Sequence, residues 1–257
     1  MFLTLYYKDP LLPMGCLTMV KYKDINIVEE FLELLRLAKE EYTYQQLSEI
    51  LGLPPTVLNR YLKGKVSPRK ERCVELIQKL KDIVDVSILI KNKIRVDNYG
   101  FVDMSKVLME VHLLKSAARE LMSEFRVNKG DIDVVLTAAV DGIPFAVVLA
   151  DILSAKLVYA KKKKEVGIQK FYEVTYLASS SGILESLYVP RDAIKAGDNV
   201  LIVDDFIRTG ETQRALYKIA LDLKGEPKGM GSIVGIKSGI IQLEKELKIP
   251  VRAVVYL

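Results

Sequence analysis

Residues 200–212, Val-Leu-Ile-Val-Asp-Asp-Phe-Ile-Arg-Thr-Gly-Glu-Thr, constrain this chain more than any other stretch. Residues 200–203 form a continuous, β-branched apolar run, the pattern of a strand covered on both faces of a parallel sheet. Asp204 and Asp205 then place two carboxylates at the carboxyl end of that strand, where open α/β sheets bind ligands. Thr209, Gly210, Glu211 and Thr212 form a turn into the helical pattern of residues 213–217. A helix N-terminus presents unpaired amides and a positive dipole end, so such a turn can cradle a phosphate. The hydroxyls of Thr209 and Thr212 add donors, and Gly210 lets the backbone approach closely. Two acids followed by a phosphate cradle suit a ligand with ribose hydroxyls on one side and a 5-phosphate on the other.

The surrounding residues alternate in α/β fashion from residue 131 onward. Residues 133–138 read as a strand, and Ala139, Val140, Asp141 and Gly142 as a tight loop. A helix over 143–153 and a strand over 156–160 follow. Two more strands are expected at 171–178 and 183–189, then the central strand, a helix ending near 223, and closing strands at 232–236 and 252–257. Such alternation predicts a mostly parallel sheet with helices on its faces. Residues 104–125 read as one helix carrying the single histidine, His112, to which no role is given.

The amino-terminal third is helical. Residues 26–39 carry apolar positions at helical spacing. Thr43 caps a short helix over 44–51, with Gln46 completing a capping box. Gly52 stops that helix, Pro54 and Pro55 open the next, and Gly64 closes it. Pro68 starts a fourth. Short helix, glycine turn, short helix is the plan of a helix-turn-helix DNA reader. Leu47 and Ile50 are expected to pack under Leu58 and Tyr61. The candidate DNA-contacting residues are Thr43, Gln46, Thr56, Asn59, Arg60, Lys63 and Lys65. Asn suits adenine and Arg suits guanine in the major groove, and the lysines suit phosphates. Residues 84–96 and the turn after them fit a small hairpin, a wing or a plain linker equally.

A chain of 257 residues with a net charge of +5 is long enough for two domains and permits binding to nucleic acid or phosphorylated ligands. Cys16 and Cys73 show no metal spacing and read as reduced thiols of a cytoplasmic protein. Residues 1–20 are too interrupted by charge and proline to span a bilayer and form a poor signal peptide. The expected division is an extension over 1–26, a DNA-binding domain over 27–82, a linker or wing over 83–103 and an α/β domain over 104–257.

The strand, acid pair and Thr-Gly-x-Thr loop resemble the phosphoribosyl pyrophosphate (PRPP) motif of type I phosphoribosyltransferases. The loop from Ala139 to Gly142 resembles their pyrophosphate-binding loop, and Lys161, Lys162, Lys163 and Lys164 occupy the place of their mobile loop. The resemblance implies that Asp204 and Asp205 hold ribose hydroxyls and act on Mg²⁺ through the ligand. It implies that Thr209, Gly210, Glu211 and Thr212 hold the 5-phosphate; the Glu211 carboxylate is unhelpful to a phosphate there unless Arg208 offsets it. The helix-turn-helix resembles the lambda-repressor and Cro type, with Ser48 where alanine is commoner. Together the two parts resemble the purine repressor of Bacillus-type bacteria and the archaeal GfcR-type regulators of sugar metabolism. That resemblance implies a homodimeric transcription factor on a double-stranded DNA operator, sensing PRPP with Mg²⁺ or a related sugar phosphate. Glu165 and Gly167 stand near positions where the enzymes carry basic residues, and Glu211 lies inside the phosphate loop. Both departures favour a sensor, so no catalytic residue is assigned. The alternative is an active phosphoribosyltransferase of orotate or purine type with an accessory DNA-binding head. A third reading is a scaffold with a vestigial site.

Overall fold

The computed structural model describes residues 27–98, 101–164, 167, 170–178 and 182–257. The expected extension over 1–26, with Cys16, and the position of Glu165 lie outside the described residues.

The described residues begin with four helices: α1 (Ile27–Glu41), α2 (Tyr44–Leu51), α3 (Pro55–Leu62) and α4 (Lys70–Lys81). Each boundary has a local cause. The Thr43 hydroxyl accepts from the Gln46 amide, and the Gln46 side chain accepts from the Thr43 N–H, the reciprocal box that satisfies two orphan donors. Gly52 ends α2 in the left-handed region at φ 66°, where a side chain is disfavoured. Pro55 stands in the first turn of α3, where its missing N–H costs nothing. Helix α4 begins at Lys70 rather than at Pro68, because Arg69 is the extended residue before it. Leu47 and Leu58 are fully buried, with Ile50 and Tyr61 packed against the same cluster. Tyr61 meets Phe31 of α1 edge to face, ring centroids 5.8 Å apart. Cys73 is buried in this bundle, and desolvation pushes its thiol up to about 11.

The connection holds more structure than expected. Helix α5 (Val86–Lys93) is capped by the Asp85 side chain on the Ile88 N–H, and its Leu89 and Ile90 are buried. A hairpin follows, β1 (Arg95–Val96) antiparallel to β2 (Val102–Asp103). The single helix expected over 104–125 is two, α6 (Ser105–Leu108) and α7 (Val111–Phe125), separated by Met109 and Glu110.

The remaining elements are β3 (Val134–Ala138), α8 (Ile143–Leu153), β4 (Lys156–Ala160), β5 (Phe171–Ala178), β6 (Ile183–Pro190), β7 (Asn199–Ile207), α9 (Glu211–Asp222), β8 (Glu226–Gly235), α10 (Lys237–Leu247) and β9 (Val251–Tyr256). Five strands form a parallel sheet in the order β4-β3-β7-β8-β9, while β5 and β6 pair antiparallel as a separate ribbon. The α/β expectation holds, with three differences. Strand β7 runs on through the acids to Ile207 because β8 pairs with it as far as Gly235. Strand β8 begins six residues before the expected 232, at Glu226. Helix α10 was not anticipated.

Helices α7 and α8 cover the sheet face that presents Val135, Leu201 and Val203. Helices α9 and α10 cover the face that presents Leu136, Val200 and Ile202. The first of these cores is continuous with the core of α1–α4, so the helical head and one face of the sheet share one apolar interior. Ion pairs reinforce the seam. Glu33 of α1, with its side chain 2% exposed, receives Arg119 Nε at 2.9 Å and Lys115 Nζ at 3.5 Å from α7. No helix among the described residues is long and apolar enough to cross a membrane.

Candidate functional site

The site begins where β3 and β7 part. Their pairing runs from Val134↔Val200 to Leu136↔Ile202 and goes no further. From β3 the chain turns toward β4, and from β7 toward β8, so the order reverses between them. Such a switch point opens a crevice at the carboxyl ends of the strands. Into it run the loop from Ala139 to Gly142 after β3, and the outer third of β7 with its acids.

Asp204 is buried, and the sheet environment fixes it on both oxygens. Its Oδ2 accepts from Gln213 Nε2 at 2.7 Å and its Oδ1 from the Asp205 N–H at 3.1 Å. Burial raises its carboxyl well above the usual range, and the neighbouring Asp205 charge adds to this. Asp205 is raised too, first by burial and then by Asp141 across the crevice, against a lowering bond with Asp204. The protein alone thus compensates negative charge on this pair poorly. A hard cation or a row of sugar hydroxyls relieves that charge, and carboxylate oxygens are the donors Mg²⁺ prefers.

The loop after β3 is shaped to these acids. A Cβ on Gly142 stands 2.6 Å from Asp204 Oδ1 and overlaps Thr137 Oγ1, so only glycine fits there. The Ala139–Val140 peptide is cis. Helix α8 starts directly after Gly142, with Pro144 in its first turn.

Gly210 adopts φ 87° before α9, and a Cβ there stands 2.6 Å from Leu243 Cδ1 of α10, so conformation and space both call for glycine. The Thr209 hydroxyl donates to the Glu211 carboxylate. The Arg208 guanidinium lies over the Phe101 ring of the β1–β2 hairpin, 5.5 Å from the centroid. Phe101 of the hairpin and Arg208, the residue before the turn into α9, are therefore in contact. Arg214 donates to the Thr209 carbonyl at 2.8 Å and to Glu246 at 2.7 Å, and the Glu246 bond, with the charges of Glu246 and Glu211, raises its pKa.

The lysine run lies along the β5–β6 ribbon. Lys162 pairs with Glu185 at 2.9 Å, and Lys164 with Glu173 at 3.3 Å. Lys161 stands over the Tyr159 ring, and Lys163 is exposed. Tyr176 connects this run to the cradle, donating to Glu185 Oε2 at 3.0 Å and lying 3.4 Å from Thr212 Oγ1.

On the head, Thr56, Arg60, Lys63 and Lys65 are exposed on and after α3. Asn59 is half-buried and accepts from the Tyr44 hydroxyl at 3.4 Å. The side chains of Thr43 and Gln46 bond to one another in the cap.

Four contributors escaped the sequence reading: Gln213, Tyr176, Glu185 and Phe101. Gln213 had a signal, since it shares the apolar stripe of α9 with Leu216 and Ala220 at helical spacing. A polar amide on a buried stripe calls for a buried partner.

Comparison with known proteins bears on both parts. Residues 32–83 match the Helix-turn-helix family. The purine biosynthesis transcriptional repressor PurR of Bacillus subtilis is 28% identical over 135 residues, covering 52% of this chain and 47% of that protein. The probable purine biosynthesis transcriptional regulator PurR of Streptococcus pneumoniae is 30% identical over 132 residues, with 51% and 47% covered. The chain thus spans about half the length of these curated relatives. The crystal structure of adenine phosphoribosyltransferase from Rhodothermus marinus superposes with a TM-score of 0.58 at 27% identity, over 67% of this chain and 98% of that one. Residues 104–247, more than half of the chain, match the family described as Phosphoribosyl transferase domain, and the chain belongs to that family.

Proposed function

We propose that this protein is a DNA-binding transcriptional regulator whose phosphoribosyltransferase-like domain senses PRPP or a related sugar phosphate, bound with Mg²⁺. Residues 27–82 act as the reading head, 83–103 as the connection and 104–257 as the sensing domain. The observation that carries the reading is the shared core: a helix-turn-helix and an acid-pair crevice are built into one apolar interior. The relatives named purine biosynthesis regulators support the same assignment.

In this reading Asp204 and Asp205 address the ribose hydroxyls and act on the cation through the ligand. When bound, Mg²⁺ supplies charge neutralisation between the acids and the diphosphate. The amides from Ala139 to Gly142 hold the diphosphate, and the α9 N-terminus with Thr209, Gly210, Glu211 and Thr212 holds the 5-phosphate. Lys161, Lys162, Lys163 and Lys164 set the positive field at the rim. Arg60 and Asn59 read bases, and Thr56, Lys63 and Lys65 position the backbone. Thr43 and Gln46 contribute by fixing the start of α2. A homodimer places two such heads on half-sites about one helical turn of DNA apart.

The second reading, an active phosphoribosyltransferase, draws on the orotate phosphoribosyltransferase of a Thermoanaerobacter species, 27% identical over 189 residues and 73% of this chain. Calorimetry with PRPP and Mg²⁺, beside a pyrophosphate-release assay with orotate and purine bases, separates the two. Saturable binding without release supports the sensor. Base-dependent release supports the enzyme, and no binding removes PRPP as the ligand.

A further inference from the structure

The β1–β2 hairpin joins two things that have no other reason to meet. At its tip, Phe101 is 55% exposed and carries the Arg208 guanidinium on its ring. Arg208 is the residue before the phosphate loop. The tip is tied down locally: the Asp97 N–H donates to the Phe101 carbonyl at 3.0 Å, and the Phe101 N–H to Asp97 Oδ1 at 2.8 Å. At its other end the hairpin is continuous with α5, which packs on α7 and β9. Lys93, the last residue of α5, bridges Glu110 at 2.7 Å and Glu40 of α1 at 3.3 Å. Helix α1 is in turn the platform of α3, through Phe31 against Tyr61.

Resting on the regulator reading above, we infer that Phe101 is the positioning residue through which the phosphate loop acts on the DNA-reading head. The competition at Arg208 is chemical. A guanidinium over an exposed ring is held weakly, whereas a charge-assisted bond to a phosphate oxygen is roughly twice as strong as a neutral one. A phosphate in the cradle draws Arg208 off the ring. The hairpin is only two residue pairs long, so its tip cannot shift without loading α5 and the Lys93 bridge. That bridge ends on α1, whose tilt sets the angle at which α3 meets DNA. Two arrangements of one contact thus bias a distant element, which is what coupling between sites requires.

The test uses the full chain, PRPP with Mg²⁺ as the probe, and Phe101→Ala beside Phe101→Tyr. Three quantities are measured: PRPP affinity by calorimetry, DNA affinity without PRPP, and the ratio of DNA affinities with and without it. For Phe101→Ala, PRPP still binds at least as tightly as in wild type, the ligand-free DNA affinity moves to the value that wild type shows with PRPP, and the ratio collapses toward one. Phe101→Tyr keeps the ring and restores the wild-type ratio. A Phe101→Ala protein that retains the full wild-type ratio overturns the inference. So does one that loses PRPP binding, because Phe101 then contacts ligand rather than positioning Arg208. A wild-type chain whose DNA affinity ignores PRPP overturns the inference and the PRPP reading beneath it together, whereas a failure confined to the variant leaves that reading standing.

Discussion

The side-chain amide of Gln213 donates to Asp204 Oδ2 at 2.7 Å, and both side chains are buried. With the Asp205 N–H on Oδ1, it holds Asp204 in one orientation beneath Gly142. Gln213→Leu leaves the buried Asp204 carboxyl short of a partner, which costs about 1–3 kcal/mol. Urea unfolding reads that loss.

The acid pair has its own pH signature. Burial raises both carboxyls, so between the ordinary carboxylate value and the raised ones the folded chain holds protons that the unfolded chain has released. Their contribution to stability is present below the ordinary range and is lost as pH rises through the raised values. Asp205→Asn removes part of this dependence. As pH rises from the ordinary carboxylate range through the raised values, the variant is expected to lose less stability than wild type. The same variant loses the response to PRPP with Mg²⁺ while keeping ligand-free DNA binding; an unchanged response contradicts the placement of the site.

The seam between the helical head and the α/β domain rests on Glu33, held by Arg119 and Lys115. Removing one partner of a buried pair strands the other charge. Glu33→Ala is expected to destabilise the chain by about 3–5 kcal/mol in urea unfolding. A loss near that of an exposed pair, under about 1 kcal/mol, contradicts the buried-seam account.

Arg60 is exposed on α3, the second helix of the helix-turn-helix. Arg60→Ala is expected to cost about 1–3 kcal/mol of specific DNA binding and to relax preference at one base position. A footprint unchanged in strength and sequence preference moves that role to another residue of α3.

What the sequence made legible was local. The capping box at Thr43, the glycine stop at Gly52 and the helix from Ile143 follow from neighbours in the chain, and each stands where the sequence placed it. The acid pair and the cradle were legible as motifs. Features set by distant partners were not. The acids interrupt the apolar run, so β7 reads as ending at Val203, yet pairing with β8 carries it to Ile207. Gly239 argues against a helix, but it lies in α10 because a Cβ there overlaps the Arg208 carbonyl. The pairing of Lys162 with Glu185 needs the β5–β6 ribbon to bring them together, and Arg119 lies 86 residues from Glu33.

The most direct measurement is fluorescence anisotropy of the DNA upstream of this gene, titrated with protein at fixed salt, with and without PRPP and Mg²⁺. Specific binding whose affinity shifts on adding the ligand is the expected result, and the direction of the shift gives the sign of regulation. Specific binding that ignores PRPP contradicts PRPP as the signal, and the absence of specific binding contradicts the regulator itself.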